Sequence, residues 1–142
     1  MKKLTSALAV IALASAALTG LATASSATAN TPCTNVTVFG SGQFKRAVPT
    51  TAGGSSDCYL VQGNTGNGVR ALQRALVYCE GYSVGTSGVD GSFGQATRTA
   101  LTSFQSGMPI ATDGQYGNQT RNWIKFVDRA SNPTGAFFCN RF

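Results

Sequence analysis

A short motif written twice constrains this chain more than anything else in it. Asp90-Gly91-Ser92-Phe93-Gly94-Gln95-Ala96-Thr97-Arg98 returns as Asp113-Gly114-Gln115-Tyr116-Gly117-Asn118-Gln119-Thr120-Arg121, so both copies obey D-G-x-(Phe/Tyr)-G-x-x-T-R. A repeat of this kind requires the same local structure twice over. Asp-Gly is turn chemistry: the carboxylate accepts from backbone N–H groups just ahead of it, and glycine takes angles that side chains forbid. After each turn the apolar spacing becomes helical. Phe93, Ala96, Ala100 and Phe104 share one side of a helix running from about Gln95 to Gln105, which Met108-Pro109-Ile110 stops. Tyr116, Thr120, Trp123, Ile124 and Val127 mark a second helix from about Asn118 to Val127. Ala100 then matches Trp123 and Phe104 matches Val127, a small-against-large pairing that lets a pseudo-symmetric core interdigitate.

A leading helix precedes the repeat. Val69, Leu72, Leu76 and Cys79 recur at spacings of three and four. Asn64 is the expected N-cap, and Gly81 suits the left-handed closure after Glu80. Glu80, the only glutamate, is expected to be solvated at that helix end. The predicted fold class is all-α: a compact three-helix domain with a pseudo-repeat, plus an irregular disulfide-tethered N-terminal arm and C-terminal tail. In the arm, Val36-Thr37-Val38-Phe39 reads as one short strand, and Gly53-Gly54-Ser55-Ser56 as a flexible joint.

The first residues are an address rather than a fold. Lys2 and Lys3, the apolar small-residue run Leu4 to Leu21, and Ala27-Thr28-Ala29 make a secretory signal peptide with Asn30 the first mature residue. Asn30-Thr31-Pro32 before Cys33 is not a lipid-attachment box, so a free secreted protein is expected. The predicted organisation is signal peptide 1–29, arm 30–57, three-helix domain 58–130 and tail 131–142. All four cysteines follow the cleavage site, and an even count in a small exported domain reads as two disulfides, each contributing about 2–4 kcal/mol. Three pairings are possible. Cys33–Cys58 with Cys79–Cys139 is preferred, because Cys58–Cys79 has to span a helix about 20 Å long unless the preceding loop folds back. The tail, with Pro133, Gly135 and Phe137-Phe138 beside Cys139, reads as a covering segment.

With no histidine and no Cys-x-x-Cys pair, neither a zinc site nor any other cofactor is indicated. The basic excess, 11 Lys and Arg against 5 acids, is dispersed. It gives solubility and some attraction to an anionic wall polymer, not a nucleic-acid patch.

The assembled motifs resemble the peptidoglycan-binding domain family, the small three-helix type found on secreted bacterial wall hydrolases. Its G-x-x-G-x-x-V-x-x-L-Q-x-x-L entry is met by Gly63, Gly66, Val69, Leu72, Gln73 and Leu76. Its D-G-x-F-G-x-x-T-x-x-A-V-x-x-F-Q middle is met by Asp90, Gly91, Phe93, Gly94, Thr97, Ala100, Phe104 and Gln105, with Leu101 in the valine place. Its D-G-x-x-G-x-x-T end is met by Asp113, Gly114, Gly117 and Thr120. Two places depart: Arg121 stands where the family has tryptophan, which comes here at Trp123, and the loop Gly85-Thr86-Ser87-Gly88 is small and glycine-rich. The resemblance implies non-catalytic attachment to peptidoglycan, through glycan strand or stem peptide, with a separate wall hydrolase as a further partner. It also implies a monomer outside the cell or at its wall, with no membrane partner after cleavage. Neither the arm nor the stretch after Val127 is long enough for a hydrolase.

Most motif residues are expected to fold rather than bind. Leu72, Leu76, Phe93, Phe104 and Ile124 are assigned to the core, Asp90 and Asp113 to turns, and the Thr97 and Thr120 hydroxyls to first-turn backbone. Gln73, Tyr82, Arg98, Gln115, Tyr116 and Arg121 are the ligand candidates. Amides donate and accept, arginine grips a carboxylate with two parallel bonds, and tyrosine offers a face to a sugar. A wall-lytic enzyme has few acid–base players here. A disulfide-stabilised secreted interaction or inhibitor protein on the same scaffold is the alternative function.

Overall fold

The computed structural model describes residues 31–128 and 138–142. The expected signal peptide and the tail residues Pro133, Gly135 and Phe137 lie outside the described residues. Strands β1 (Asn35–Phe39) and β2 (Arg46–Thr50) form an antiparallel hairpin with Asn35 opposite Thr50 and Phe39 opposite Arg46. Val36, Thr37, Val38 and Phe39 are β-branched or aromatic, which suits a pleated half-buried surface. Helix α1 (Asn67–Arg74) continues into a wider turn over Ala75–Cys79, closed by Glu80 N–H donating to the Ala75 carbonyl (3.1 Å). Helices α2 (Gln95–Ser106) and α3 (Asn118–Trp123) follow. Strands β3 (Lys125–Val127) and β4 (Cys139–Arg141) form a second antiparallel pair, with Val127 opposite Cys139.

The fold is therefore not all-α. Three helical segments are accompanied by two two-stranded antiparallel sheets: the arm's expected strand at Val36–Phe39 pairs with Arg46–Thr50, and the end of the expected third helix pairs with the tail. The expected third helix is also cut short. Ile124 turns extended (φ −75, ψ 143), and Lys125–Val127 pairs with the tail instead of continuing the coil. Phe126 is fully buried by that turn. Asn64 does not cap α1 either: its Oδ1 accepts from the Val61 N–H (2.9 Å), and the N-cap position is Gly66. Glu80 is not solvated. Its Oε1 accepts the Lys125 N–H (2.8 Å), and its other oxygen lies 4.0 Å from Lys125 Nζ, so it anchors the start of β3.

The disulfides are Cys33–Cys58 and Cys79–Cys139. The first lies in the core, with Cys33 1% and Cys58 0% exposed, and the second ties the end of the leading helix to β4. Leu72, Leu76, Phe93, Phe104 and Ile124 occupy the core as expected, joined by Leu60, Leu101, Phe126 and, from the hairpin, Val48. The hairpin and the helices thus share one core.

Candidate ligand-binding site

Each Asp-Gly turn is knotted to the helix before it by one buried glutamine. From α1, Gln73 donates through Nε2 to Asp90 Oδ1 (2.9 Å), the Ser92 carbonyl (3.0 Å) and Thr97 Oγ1 (3.1 Å). Its Oε1 accepts from the Gly91 N–H (2.8 Å). Gln105, near the end of α2, makes the same set one unit later. It donates to Asp113 Oδ1 (3.0 Å), the Gln115 carbonyl (2.8 Å) and Thr120 Oγ1 (3.1 Å), and accepts from the Gly114 N–H (2.8 Å). A carboxamide is the uncharged side chain that places donors and an acceptor side by side, so it satisfies both kinds of group in a tight turn. Each aspartate closes its own turn: Asp90 Oδ1 accepts the Ser92 N–H and Asp113 Oδ1 the Gln115 N–H, both at 2.8 Å. The hydrogen bond from Gln73, then that from Ser92, holds the Asp90 carboxyl below the usual aspartate range.

Glycine is obligatory in the second knot. Gly114 sits at φ +68, and an added Cβ would lie 2.7 Å from Thr102 Oγ1 and 2.9 Å from Arg98 Cγ. Thr97 and Thr120 turn their hydroxyls to the glutamines; only Thr120 also reaches backbone, the Gln115 carbonyl at 3.4 Å.

The six sequence-predicted ligand residues separate into three groups. Gln73 is 1% exposed with its amide committed to the knot. Tyr116 is fully buried, edge-on to Phe126 with ring centroids 6.4 Å apart, and exchanges both backbone bonds with Leu60 at 2.9 Å. Its hydroxyl has no hydrogen-bond partner among the described residues, and burial pushes its pKa far above the usual phenol range, against the opposing charge of Arg121.

Arg98 lines one shallow groove, Tyr82 reaches its edge through Ser103, and Gln115 is not among its lining residues. Arg98, Thr99, Thr102, Ser103 and Asp113 are among the residues lining its volume of about 290 Å³. Tyr82 stands beside it, with Oη donating to the Ser103 carbonyl (3.4 Å) and its ring edge-on to Phe104 at 6.3 Å. Gln115 is exposed two residues beyond Asp113. Arg121, in the repeat position equivalent to Arg98, has a different task. Its Nη1 donates to the Ser56 carbonyl (2.9 Å), Ser56 Oγ (3.1 Å) and Asn118 Oδ1 (2.9 Å), while its guanidinium lies 4.8 Å above the Phe142 ring. Arm, α3 and tail converge on it.

A second concavity, of about 170 Å³, opens between the hairpin and α1, where Asn35, Ala47, Asn67 and Arg70 are among the lining residues. The sequence reading singled out none of these. The available signal was the four-residue spacing of Arg70 and Arg74 on the polar face of the leading helix. Among the described residues no group of three or more His, Cys, Asp or Glu is placed to hold a metal ion.

Residues 65–124 match the family described as “Putative peptidoglycan binding domain”. This stretch of the chain is similar to the peptidoglycan-binding domain family. The match begins at the turn entering α1, spans both glutamine knots and ends where α3 gives way to β3. Over 77 residues the chain is 38% identical to the “Probable N-acetylmuramoyl-L-alanine amidase” of Bacillus licheniformis, covering 54% of this chain and 22% of that protein. No solved structure matches. In the matched stretch the motif glutamines, aspartates and threonines are spent on the knots, while Arg98 stays exposed in the groove.

Proposed function

We propose that this protein is exported, loses residues 1–29, and holds on to cell-wall peptidoglycan without cleaving it. The observation that carries the reading is the family match over both glutamine knots. We assign the ligand contacts to the α2 groove. There the exposed Arg98 suits a stem-peptide carboxylate; outside its lining, the half-buried Tyr82 beside Ser103 suits a sugar face and the exposed Gln115 an amide or sugar hydroxyl. Gln73 and Tyr116 act from behind by fixing the turns, and Arg121 by fixing the arm. In this reading 58–130 is the binding domain, and 30–57 and 131–142 are its tethered arm and tail. The protein works as a monomer at the wall, alone or beside a separate hydrolase. No helix among the described residues is long and apolar enough to cross a membrane.

Sedimentation of the purified protein with insoluble sacculi tests this directly. Wild type goes to the pellet, Arg98→Ala binds about tenfold more weakly, and dye-labelled sacculi release nothing above background. Wild type left in the supernatant would overturn the binding reading, and dye release would overturn the non-catalytic one. A second reading, an interaction or inhibitor protein that has given up the wall ligand, draws on Arg121: at a place that differs from the family pattern, the side chain is occupied by Ser56 and Phe142. Stoichiometric capture of an extracellular enzyme by a protein that fails to sediment would favour it.

A further inference from the structure

The concavity between the hairpin and α1 lies partly outside the family match, since Asn35, Val36 and Ala47 come from the arm. Its chemistry is mixed in an ordered way. Val36, Ala47 and Ala71 supply apolar wall, while Asn35, Asn67 and Arg70 supply polar groups. Asn35, Asn67 and Arg70 are all exposed. Arg70 is positioned by one bond, Nη2 donating to the Asp90 carbonyl at 3.0 Å, and the added Cβ of a substituted Gly91 would sit 3.2 Å from its Nε. A guanidinium has five N–H donors, so one bond to a carbonyl leaves an edge that can take a carboxylate. Arg74 and Asp128 also line the space and are already engaged within the fold. The hairpin wall is held by Cys33–Cys58 and by the close approach of Cys33 to Gly68, so the space is formed before any ligand arrives.

We propose that this cleft is a second binding site, for the free carboxylate terminus of a short peptide ending in a small apolar residue. The volume of about 170 Å³ admits a residue of alanine size with its carboxylate. Arg70 takes the carboxylate, Asn35 and Asn67 take the adjoining amide, and the methyl rests on Ala47 and Ala71. A neutral amide terminus lacks the charge that Arg70 is placed to meet. The cleft is separate from the α2 groove, and small-molecule binding to it reads independently of sacculus sedimentation.

The test is an NMR titration of the purified protein with N-acetyl-D-alanyl-D-alanine and, in parallel, its C-terminal carboxamide. Saturable shifts are expected at the Ala47, Asn67 and Ala71 amides, with the carboxylate form binding at least about tenfold more tightly than the carboxamide. Arg70→Gln reduces carboxylate affinity about tenfold. Ala47→Leu fills the cleft without touching the Asp90 turn and abolishes binding while leaving the amide spectrum otherwise native. The proposal is overturned by no saturable shift with wild type, by equal binding of carboxylate and carboxamide, or by wild-type affinity in a natively folded Ala47→Leu variant.

Discussion

Gln105 shows how much one neutral side chain can organise. Its amide satisfies the Gly114 N–H, the Asp113 carboxylate, the Gln115 carbonyl and the Thr120 hydroxyl, so removal strands several groups together. Gln105→Ala should lose about 3 kcal/mol in urea unfolding at pH 7, since each buried orphan costs about 1–3 kcal/mol. Gln105→Glu keeps the shape but replaces the donor with a charge facing Asp113. It should be as damaging at pH 7 and partly recover near pH 4, where a protonated carboxyl can donate again. An unchanged urea midpoint for the alanine variant would remove the knot from the account of stability.

The pH dependence of the first knot has a defined sign. The folded-state pKa of Asp90 is lowered, chiefly by Gln73. Its stabilising contribution is therefore complete above the unfolded aspartate value of about 3.9, and is lost as pH falls through the lower folded value. Asp90→Asn retains an acceptor oxygen but no titration, so it should flatten this part of the acid limb when urea midpoints are compared between pH 7 and pH 2. Tyr116 invites the opposite kind of substitution. Phe93 fills the equivalent place without a hydroxyl, whereas the buried Tyr116 hydroxyl goes unpaired among the described residues. Tyr116→Phe should stabilise by about 1 kcal/mol and raise the melting temperature by a few degrees. A fall in melting temperature would mean that the hydroxyl has a partner after all.

At the scale of elements, α2 and the two turns were legible because their signals are local. Asp-Gly, the glycine three residues on and the helical apolar spacing all act within one segment. The end of α3 was not legible in the same way. Trp123, Ile124 and Val127 satisfy helical spacing as well as they satisfy a turn into a strand, and what selects the strand is pairing with β4, which the disulfide to Cys79, 60 residues back, holds in place. The all-α expectation failed for that reason, as non-local pairing leaves little trace in a single segment. Of the proposed site, Arg98 was singled out by its chemistry and its place in the repeat, and it is exposed at the groove. Gln73 was singled out by its chemistry too, yet its position four residues after Val69 and three before Leu76 already put it on the buried face.

The junction of arm and α1 yields a prediction in which two effects oppose. Alanine is favoured over glycine within a helix by about 1 kcal/mol, so Gly68→Ala in an isolated α1 would stabilise. Here an added Cβ would lie 2.1 Å from the Cys33 carbonyl oxygen. Cys33 cannot withdraw easily, being held by Cys58 and by its own N–H donating to the Tyr59 carbonyl at 2.9 Å. Overpacking against backbone should win, giving a net loss of about 2 kcal/mol in the urea midpoint. A stabilised variant would show that the arm sits more loosely on α1 than the close approach implies.

For the whole molecule, the two disulfides do different work although both join terminal segments to the helices. Cys79–Cys139 closes a sequence separation of 60, Cys33–Cys58 one of 25. In the chain-entropy view the longer loop constrains the unfolded state more, by about 4.3 against 3.5 kcal/mol. Access runs the other way: both sulfur-bearing residues of the short loop are buried in the core, while Cys79 and Cys139 are half-buried. Thiol exchange needs an approach to sulfur, so the bond that contributes more should also be the first to open. In a graded reduction under native conditions, followed by alkylation and mass spectrometry, label should appear at Cys79 and Cys139 before Cys33 and Cys58. The partly reduced protein should lose the Val127–Cys139 strand pairing yet keep both glutamine knots, which involve no residue of the tail. Sacculus binding should then survive the first reduction step and fail only when the core disulfide opens. Loss of binding at the first step would instead place the ligand contacts on the face where Arg121 meets Phe142.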